Sequence, residues 1–349
     1  MTGPRQPFTV RPATPGDDAA WDAFVATHPR ASTYHQTVWR DLIASVFGHD
    51  SHYRLAVSED GAIVGCLPLI EFRSRLFGHF LVSMPYFNYG GALGASSDVE
   101  HALMEDAGRL ASGLGAAHVE FRDDVRRGES WPVREDKVNM HLALPGDKEA
   151  LWKAVGSKVR AQVRRPQRES PRTVTGGEEL LEDFYRVFSR NMRDLGTPVY
   201  GKPLFRAILA GYSASRIIVV YLGGRPAAAG FLVGWRGRLE IPWASSLREY
   251  NRLGVNMLLY WQVLEYAIEQ GYDTFDFGRS TRDAGTYRFK RQWGAEPVPL
   301  YWHYWLGEGG ELPSLSPSSP KFRLAVSLWQ RLPVPMANLL GPGIVKSLP

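Results

Sequence analysis

Two stretches of this chain repeat the same order of hydrophobic and polar segments. In the first, extended apolar runs at 53–57 and 63–72 flank the turn signal Asp60-Gly61. A helical run at 99–114 follows, closed by Gly115, and then a short strand at 118–122. In the second, runs at 217–222 and 227–235 flank Gly223-Gly224, and a third covers 239–244. A helix at 255–270, closed by Gly271, leads into a strand at 274–278. The two closing strands read Val119-Glu-Phe-Arg122 and Phe275-Asp-Phe-Gly278. One such echo is weak, but the ordered series predicts an α/β chain made by duplication.

The helix at 255–270 rests on spacing. Met257, Tyr260, Trp261, Leu264, Ala267 and Ile268 recur at intervals of three and four, which makes one apolar stripe. In the closing strand, alternation puts Phe275 and Phe277 on one face and Asp276 on the other. Residues 314–320 are rich in Ser and Pro and predict a linker. Beyond it Phe322, Val326, Trp329 and Leu332 recur beside Lys321, Arg323 and Arg331, a short basic amphipathic tail. Such a tail is read as a packing arm, with a membrane-surface anchor as the alternative.

Length and composition narrow the class. At 349 residues and 44% hydrophobic, the chain is long and apolar enough for two packed domains. The expected division is residues 8–145, residues 146–306 with the active site, and a linker with tail at 307–349. No uncharged apolar run is long enough to span a bilayer, and the polar, proline-bearing start does not read as a signal peptide. The expectation is a cytoplasmic protein, with the tail as a point of peripheral contact at the inner face of the membrane. Cys66, the single cysteine, rules out an internal disulfide or a cysteine zinc site and reads as a buried small residue. His35, His49 and His52 cluster in sequence but read as a polar edge, so no metal site is expected.

Charge is focused. The net charge is +5, yet 153–172 alone holds seven basic residues against the single acid Glu169. Lys158, Arg160 and Arg164 lie in this element, which calls for an anionic partner or, failing that, is a solvated helix face. Pro166 must end or kink that helix. The pattern lacks the aromatic interleaving of a sequence-specific nucleic-acid reader.

The chemistry-bearing stretch is 276–294. Asp276 ends a strand, Gly278 frees the backbone, a polar loop with Arg279 and Ser280 follows, and a short helix starts near Thr286 as N-cap. Phe289 and Trp293 can dock this helix while Tyr287 and Lys290 face the end of the Asp276 strand. Ligands in open α/β sheets gather at such strand ends. The structural alternative is an Asp276–Arg279 or Asp276–Lys290 ion pair that only fixes the loop. Gly254 and Asn256, at the start of the 255–270 helix, form a second candidate for anions. No HExxH, GxSxG, Walker or strand-to-helix GxGxxG pattern is present.

Several motifs together carry a family resemblance. They are Trp39-Arg-Asp-Leu-Ile43 with Phe47-Gly-His49, Asn88-Tyr-Gly-Gly91, Lys158-Val-Arg160 with Val163-Arg-Arg165, Gly196-Thr-Pro-Val199, Asn256-Met-Leu-Leu-Tyr-Trp261, Asp276-Phe-Gly-Arg-Ser-Thr281, and Gly285-Thr-Tyr-Arg-Phe-Lys290 with Trp293-Gly-Ala295. Over residues 8–305 the chain resembles Fem-type (FemAB-like) peptidyl- and acyltransferases, closest to the branch associated with exosortase and exopolysaccharide gene clusters. The resemblance implies two tandem GNAT-like (acyl-CoA N-acyltransferase) domains, each a mixed twisted sheet flanked by helices. It implies transfer of an activated acyl or aminoacyl group to an amine or hydroxyl of a cell-envelope or exopolysaccharide precursor. The co-substrate is then an acyl-CoA or an aminoacyl-tRNA, with no tightly bound cofactor. The partners would be this anionic donor, tRNA in the second case, and a glycan or peptide acceptor.

On this reading Asp276, Tyr287 and Lys290 are catalytic. Asp276 orients or deprotonates the acceptor and Tyr287 protonates the leaving group. Lys290, Arg279 and the basic element hold phosphates. Gly254, Asn256, Lys158, Arg160 and Arg164 bind the donor, and Asn88, Tyr89, Tyr260, Arg279, Ser280 and Thr286 bind substrate. Asn251-Arg-Leu-Gly-Val-Asn256 stands where such acetyltransferases keep a pyrophosphate loop, differing from it at the first and last positions. The rival readings are a silent scaffold or glycan-binding partner, an aminoacyl-tRNA-dependent peptidoglycan-bridge ligase, and an RNA-binding protein.

Overall fold

A computed structural model of the chain describes residues 7–74, 77–128, 131–313 and 320–348. It falls into two compact units, 1–137 with 299–314 and 347–349, and 138–298 with 315–346.

The first unit opens with β1 (Phe8–Pro12), α1 (Asp18–Thr27) and α2 (Thr37–Phe47). Then come β2 (Arg54–Ser58), β3 (Ile63–Leu67), β4 (Ile70–Ser74), β5 (Gly78–Val82) and β6 (Leu93–Gly94). The long α3 (Ser97–Leu114), β7 (His118–Asp123) and β8 (Val133–Arg134) complete its continuous part. The run at 63–72, read as one strand, is two. Pro68 lacks the N–H a ladder needs, and β3 and β4 part there into different sheets, ordered β1-β2-β3-β6 and β4-β5-β7-β16-β8. β16 (Tyr301–Leu306) comes from far along the chain and pairs antiparallel with β7, Tyr301 to Asp123 through Leu306 to His118. The stretch 301–306, read with the second domain, thus belongs to the first unit's sheet. The core joins α3 to both sheets: Val99 and Leu103 lie over Gly65 of β3, and Ala107, Val119 and Phe121 belong to the same cluster, while Cys66 is buried.

Polar residues are also buried here. His35 Nδ1 accepts from the Ser32 amide at 3.1 Å, which fixes the tautomer, so Nε2–H donates to the Gly91 carbonyl at 3.0 Å. Asp123 Oδ2 meets His303 Nδ1 at 3.0 Å, and Arg127 donates to Asp123 Oδ1 at 2.8 Å.

The second unit carries β9 (Lys137–Ala143), α4 (Lys148–Ala154), α5 (Ser157–Gln167), β10 (Arg172–Gly176), α6 (Leu181–Leu195) and α7 (Lys202–Gly211). It continues with β11 (Ser215–Leu222), β12 (Arg225–Trp235), β13 (Arg238–Ser246), α8 (Val255–Glu269), β14 (Thr274–Thr281), α9 (Gly285–Arg291) and β15 (Glu296–Pro299). The sheet order is β10-β11-β12-β13-β14-β9-β15, so residues 138–143, read with the first domain, pair inside the second. One face buries Ile218, Leu232, Leu239, Phe275 and Phe277 against α8, whose Val255, Leu258, Trp261 and Leu264 are buried. The other face holds an aromatic layer of Phe184, Phe205, Phe231 and Trp243 with ring centroids 4.9–5.7 Å apart.

α10 (Pro320–Trp329) and α11 (Val334–Val345) close this unit, and α11 packs on α6. The linker read at 314–320 lies outside the described residues except for Pro320, and the side chains of Lys321 and Phe322 lie outside them too. No helix among the described residues is long and apolar enough to cross a membrane.

Burial drives the His35 pKa down to about 4, more than its two backbone hydrogen bonds raise it. The unfolded chain then binds more protons between pH 6.5 and 4, so stability falls as the pH drops through that window. A second proton at Nδ1 would also face the Ser32 N–H. Wild type is expected to lose on the order of 3 kcal/mol across it. Urea titrations from pH 7 to 4 check this, and His35→Gln should flatten the slope.

Candidate active site

The site begins where a strand is forced to bend. In β13, Phe231 faces Trp243 and Val233 faces Glu240, so three residues of β13 span what two of β12 span. The extra residue makes a bulge at Ile241-Pro242, a place where a proline can sit inside a sheet. On its far side β13 pairs in parallel with β14 only at Arg238–Thr274, Leu239–Phe275 and Glu240–Asp276. The two strands then continue to Ser246 and Thr281 without pairing further among the described residues.

Along the upper part of β13 lies a cleft of about 200 Å³. Its floor is Ala244, Ser245 and Ser246, and Asn256, Leu259 and Tyr260 of α8 form a wall. Asn191 of α6 and Phe289 of α9 complete the lining. Asn191 Nδ2 donates to Ser245 Oγ at 3.1 Å. Tyr260 stacks on Phe277 with centroids 5.4 Å apart, and burial pushes its hydroxyl up to about 12.

The last paired rung is charged. Glu240 and Asp276 are buried side by side on neighbouring strands. On the other side of β14, His141 of β9 reaches Asp276, with Nε2 to Oδ2 at 3.1 Å. The Gly278 amide donates to Asp276 Oδ1 at 2.7 Å. His141, Asp276 and Glu240 therefore form a polar row across three adjacent strands. Burial pulls the Asp276 carboxyl up, but the His141 hydrogen bond and charge, with the Gly278 amide, hold it below the ordinary carboxylate range. Asp276 is fully enclosed, whereas the His141 side chain is 17% exposed. His141 is the end of the pair that can meet a ligand. Beside the row, Asn139 and Ser280 are buried with side-chain polar atoms that have no partner, which marks a place for water or ligand.

Other expected residues take different places. Lys290 is buried, and its ammonium donates to the carbonyls of Gly278 and Arg279 at 2.9 Å each. Burial lowers its pKa to about 8. Lys290 ties down the backbone after Asp276 with two of its three donors, and its burial sets it away from phosphates in solvent. Tyr287 is half-buried against the core, and Arg279 and Thr286 are exposed. Thr286 is not the helix cap. Asp283 turns with a φ of 59° and Ala284 is extended, so the cap is Ala284, two residues earlier, and α9 starts at Gly285.

Gly254, with a φ of 78°, ends a 3₁₀ turn and opens α8. α5 packs along α8, and a methyl on Gly254 would lie 3.5 Å from the Gln162 carbonyl, so the basic element runs beside this helix start. α5 continues through Pro166 to Gln167, because a proline in the last turn costs only a terminal bond. Arg160 has a structural role besides the phosphate contact expected of it: its Nη1 donates to the carbonyls of Trp152, Lys153 and Val155 at 3.1, 3.3 and 2.6 Å, capping α4. Lys158 and Arg164 are exposed, with the Arg164 guanidinium 5.2 Å from the Trp152 ring. Asn88 and Tyr89 belong to the first unit.

His141 and Glu240 were missed from sequence. The available signal was alternation: Val138, Met140 and Leu142 are buried in the core while Asn139 and His141 point the other way. Glu240 is the single carboxylate in a strand of otherwise uncharged residues after Arg238.

Residues 157–291 match the family model described as an acetyltransferase (GNAT) domain. No curated protein matches the sequence. Among solved structures, FemX is similar with a TM-score of 0.65 at 14% identity, over 84% of this chain and 96% of that one. The C-terminal domain described as part of a lysylphosphatidylglycerol synthetase from Agrobacterium fabrum is similar at 0.57 and 13%, over 84% and 92%. A tandem GNAT protein from the clavulanic acid biosynthesis pathway follows at 0.52 and 14%, over 88% and 100%. The fold is mixed α/β with GNAT-like domains, as the Fem-type resemblance implied.

Asp276→Asn keeps the shape but removes the charge that His141 faces. It is expected to cost about 1–3 kcal/mol of unfolding free energy at neutral pH. Urea unfolding of both proteins measures it, and equal midpoints would mean that the pair carries no net stability.

Proposed function

We propose that the second unit transfers an acyl group from an acyl-CoA to an amine or hydroxyl of a cell-envelope or exopolysaccharide precursor. The observation that carries this reading is the parting of β13 and β14 just past the buried Glu240–Asp276 rung. Strands that separate offer unpaired edge N–H and C=O groups to an extended amide-bearing chain, which is what the pantetheine arm is. The donor's diphosphate would sit at the start of α8, on the amides of Val255 and Asn256. Lys158 and Arg164 of the neighbouring α5 supply opposite charge there.

In the reaction the acceptor nitrogen or oxygen attacks the thioester carbon. A C–N or C–O bond forms, the C–S bond breaks, and the thiolate departs. His141 takes the acceptor's proton as general base, and Asp276 positions His141 and stabilises its cation. Tyr287 returns a proton to the thiolate. Amides near Ala244 and Ser245 stabilise the oxyanion. Asp276 thus acts through His141, because no part of its carboxylate reaches the surface.

Two sets of variants test this reading. His141→Ala should lower kcat by about 10²–10⁴ with little change in the donor KM. A variant that folds and turns over normally removes His141 from the chemistry. Lys158→Gln with Arg164→Gln should raise the KM for the acyl-CoA by about tenfold or more, as lost charge-assisted contacts do. An unaltered KM would make this helix face plain solvated surface. Assays with acetyl-CoA and with aminoacylated tRNA in parallel separate the two donors, and turnover with charged tRNA alone would replace the CoA reading. Glycan binding without turnover of either donor would favour the scaffold.

A further inference from the structure

Most exposed large apolar side chains of this protein are in one place. Among the described residues seven such side chains are exposed. Leu324, Leu328, Met336, Leu339 and Leu340 lie on α10 and α11, and Leu195 ends α6, on which these helices pack. Single exposed leucines are ordinary, but a cluster of this size is not.

The packing of α11 shows that the cluster is not a core turned outward. Its inner face is the small stripe Ala337, Gly341 and Val345, all buried. A methyl on Gly341 would come within 2.8 Å of the Val199 amide, so the helix is seated as closely as its backbone permits. The outer face then presents Leu339 at 80% exposure with Met336 and Leu340, and no charged residue occurs from Val334 to Val345. A helix apolar on both faces needs a second apolar surface. Arg193 donates to the Leu332 carbonyl at 2.7 Å, which pins the connection between the two helices.

Charge says what that surface is. Residues 315–349 contain Lys321, Arg323, Arg331 and Lys346 and not one acidic residue. Arg323 and Arg331 are exposed next to the leucines. Helices of 10 and 12 residues are too short to span a bilayer but suffice to lie in its interface. We propose that α10 and α11 dock the second unit on an anionic lipid surface, the leucines entering the acyl boundary and the arginines meeting the headgroups. This docking is independent of the proposed transferase chemistry.

Flotation of the full-length protein with vesicles of phosphatidylcholine, with and without phosphatidylglycerol, tests the proposal. The protein should float with the phosphatidylglycerol vesicles at low salt and be released as salt rises. Leu324→Asp combined with Leu339→Asp and Leu340→Asp should weaken binding at least about tenfold. All three positions are exposed, so an unchanged thermal midpoint verifies the fold of the variant. Arg323→Gln and Arg331→Gln should each weaken it by about fivefold. No flotation with phosphatidylglycerol vesicles, or flotation unaltered in the triple variant, overturns the proposal. So does a wild-type dimer that the triple variant makes monomeric, since a second copy would then cover the patch.

Discussion

β13 and β14 run side by side for three residues and then separate, and much of the second unit is arranged around that separation. A bulge at Ile241-Pro242 bends β13 away from its partner, while Lys290, buried under the carbonyls of Gly278 and Arg279, holds the turn of β14 in place. The strands part beyond a rung of two buried carboxylates, an arrangement that costs energy unless the charges are met. His141 and the Gly278 amide meet Asp276, and their joint pull outweighs burial. Asp276, unfavourable to bury alone, is satisfied by its neighbours in the row.

The same row explains a division of labour between residues. Asp276 has no exposed surface and both of its oxygens are engaged, so its influence on a ligand must pass through His141. Lys290 and Arg160 resemble ligand-binding cations in sequence, yet two donors of Lys290 and the Nη1 of Arg160 go to backbone carbonyls. A cation near a helix end or a tight turn is often recruited this way, because the carbonyls there lack backbone partners and a charged donor satisfies them.

The periodic elements were legible in the sequence because their signals are local. The stripe of α8, the Gly271 stop and the alternation in β14 each depend on residues within one or two turns. What was not legible depends on partners far away. Nothing near Tyr301 announces that β16 pairs with β7 about 180 residues earlier. Likewise the residues of β9 fall inside the expected first domain, 8–145, and no local signal sets His141 against Asp276, 135 residues on. Pro68 is by contrast a local signal in the sequence: it splits one apolar run between two sheets. Thr286 was a plausible cap displaced by the left-handed Asp283 just before it.

A crystal structure of the protein with CoA bound tests the central claim most directly. The account predicts the pantetheine arm between β13 at 244–246 and β14 beyond Asp276, with the diphosphate on the amides of Val255 and Asn256. The thiol should end within reach of His141. CoA bound elsewhere on the chain, or lying in the cleft with its diphosphate away from α8, would contradict the account.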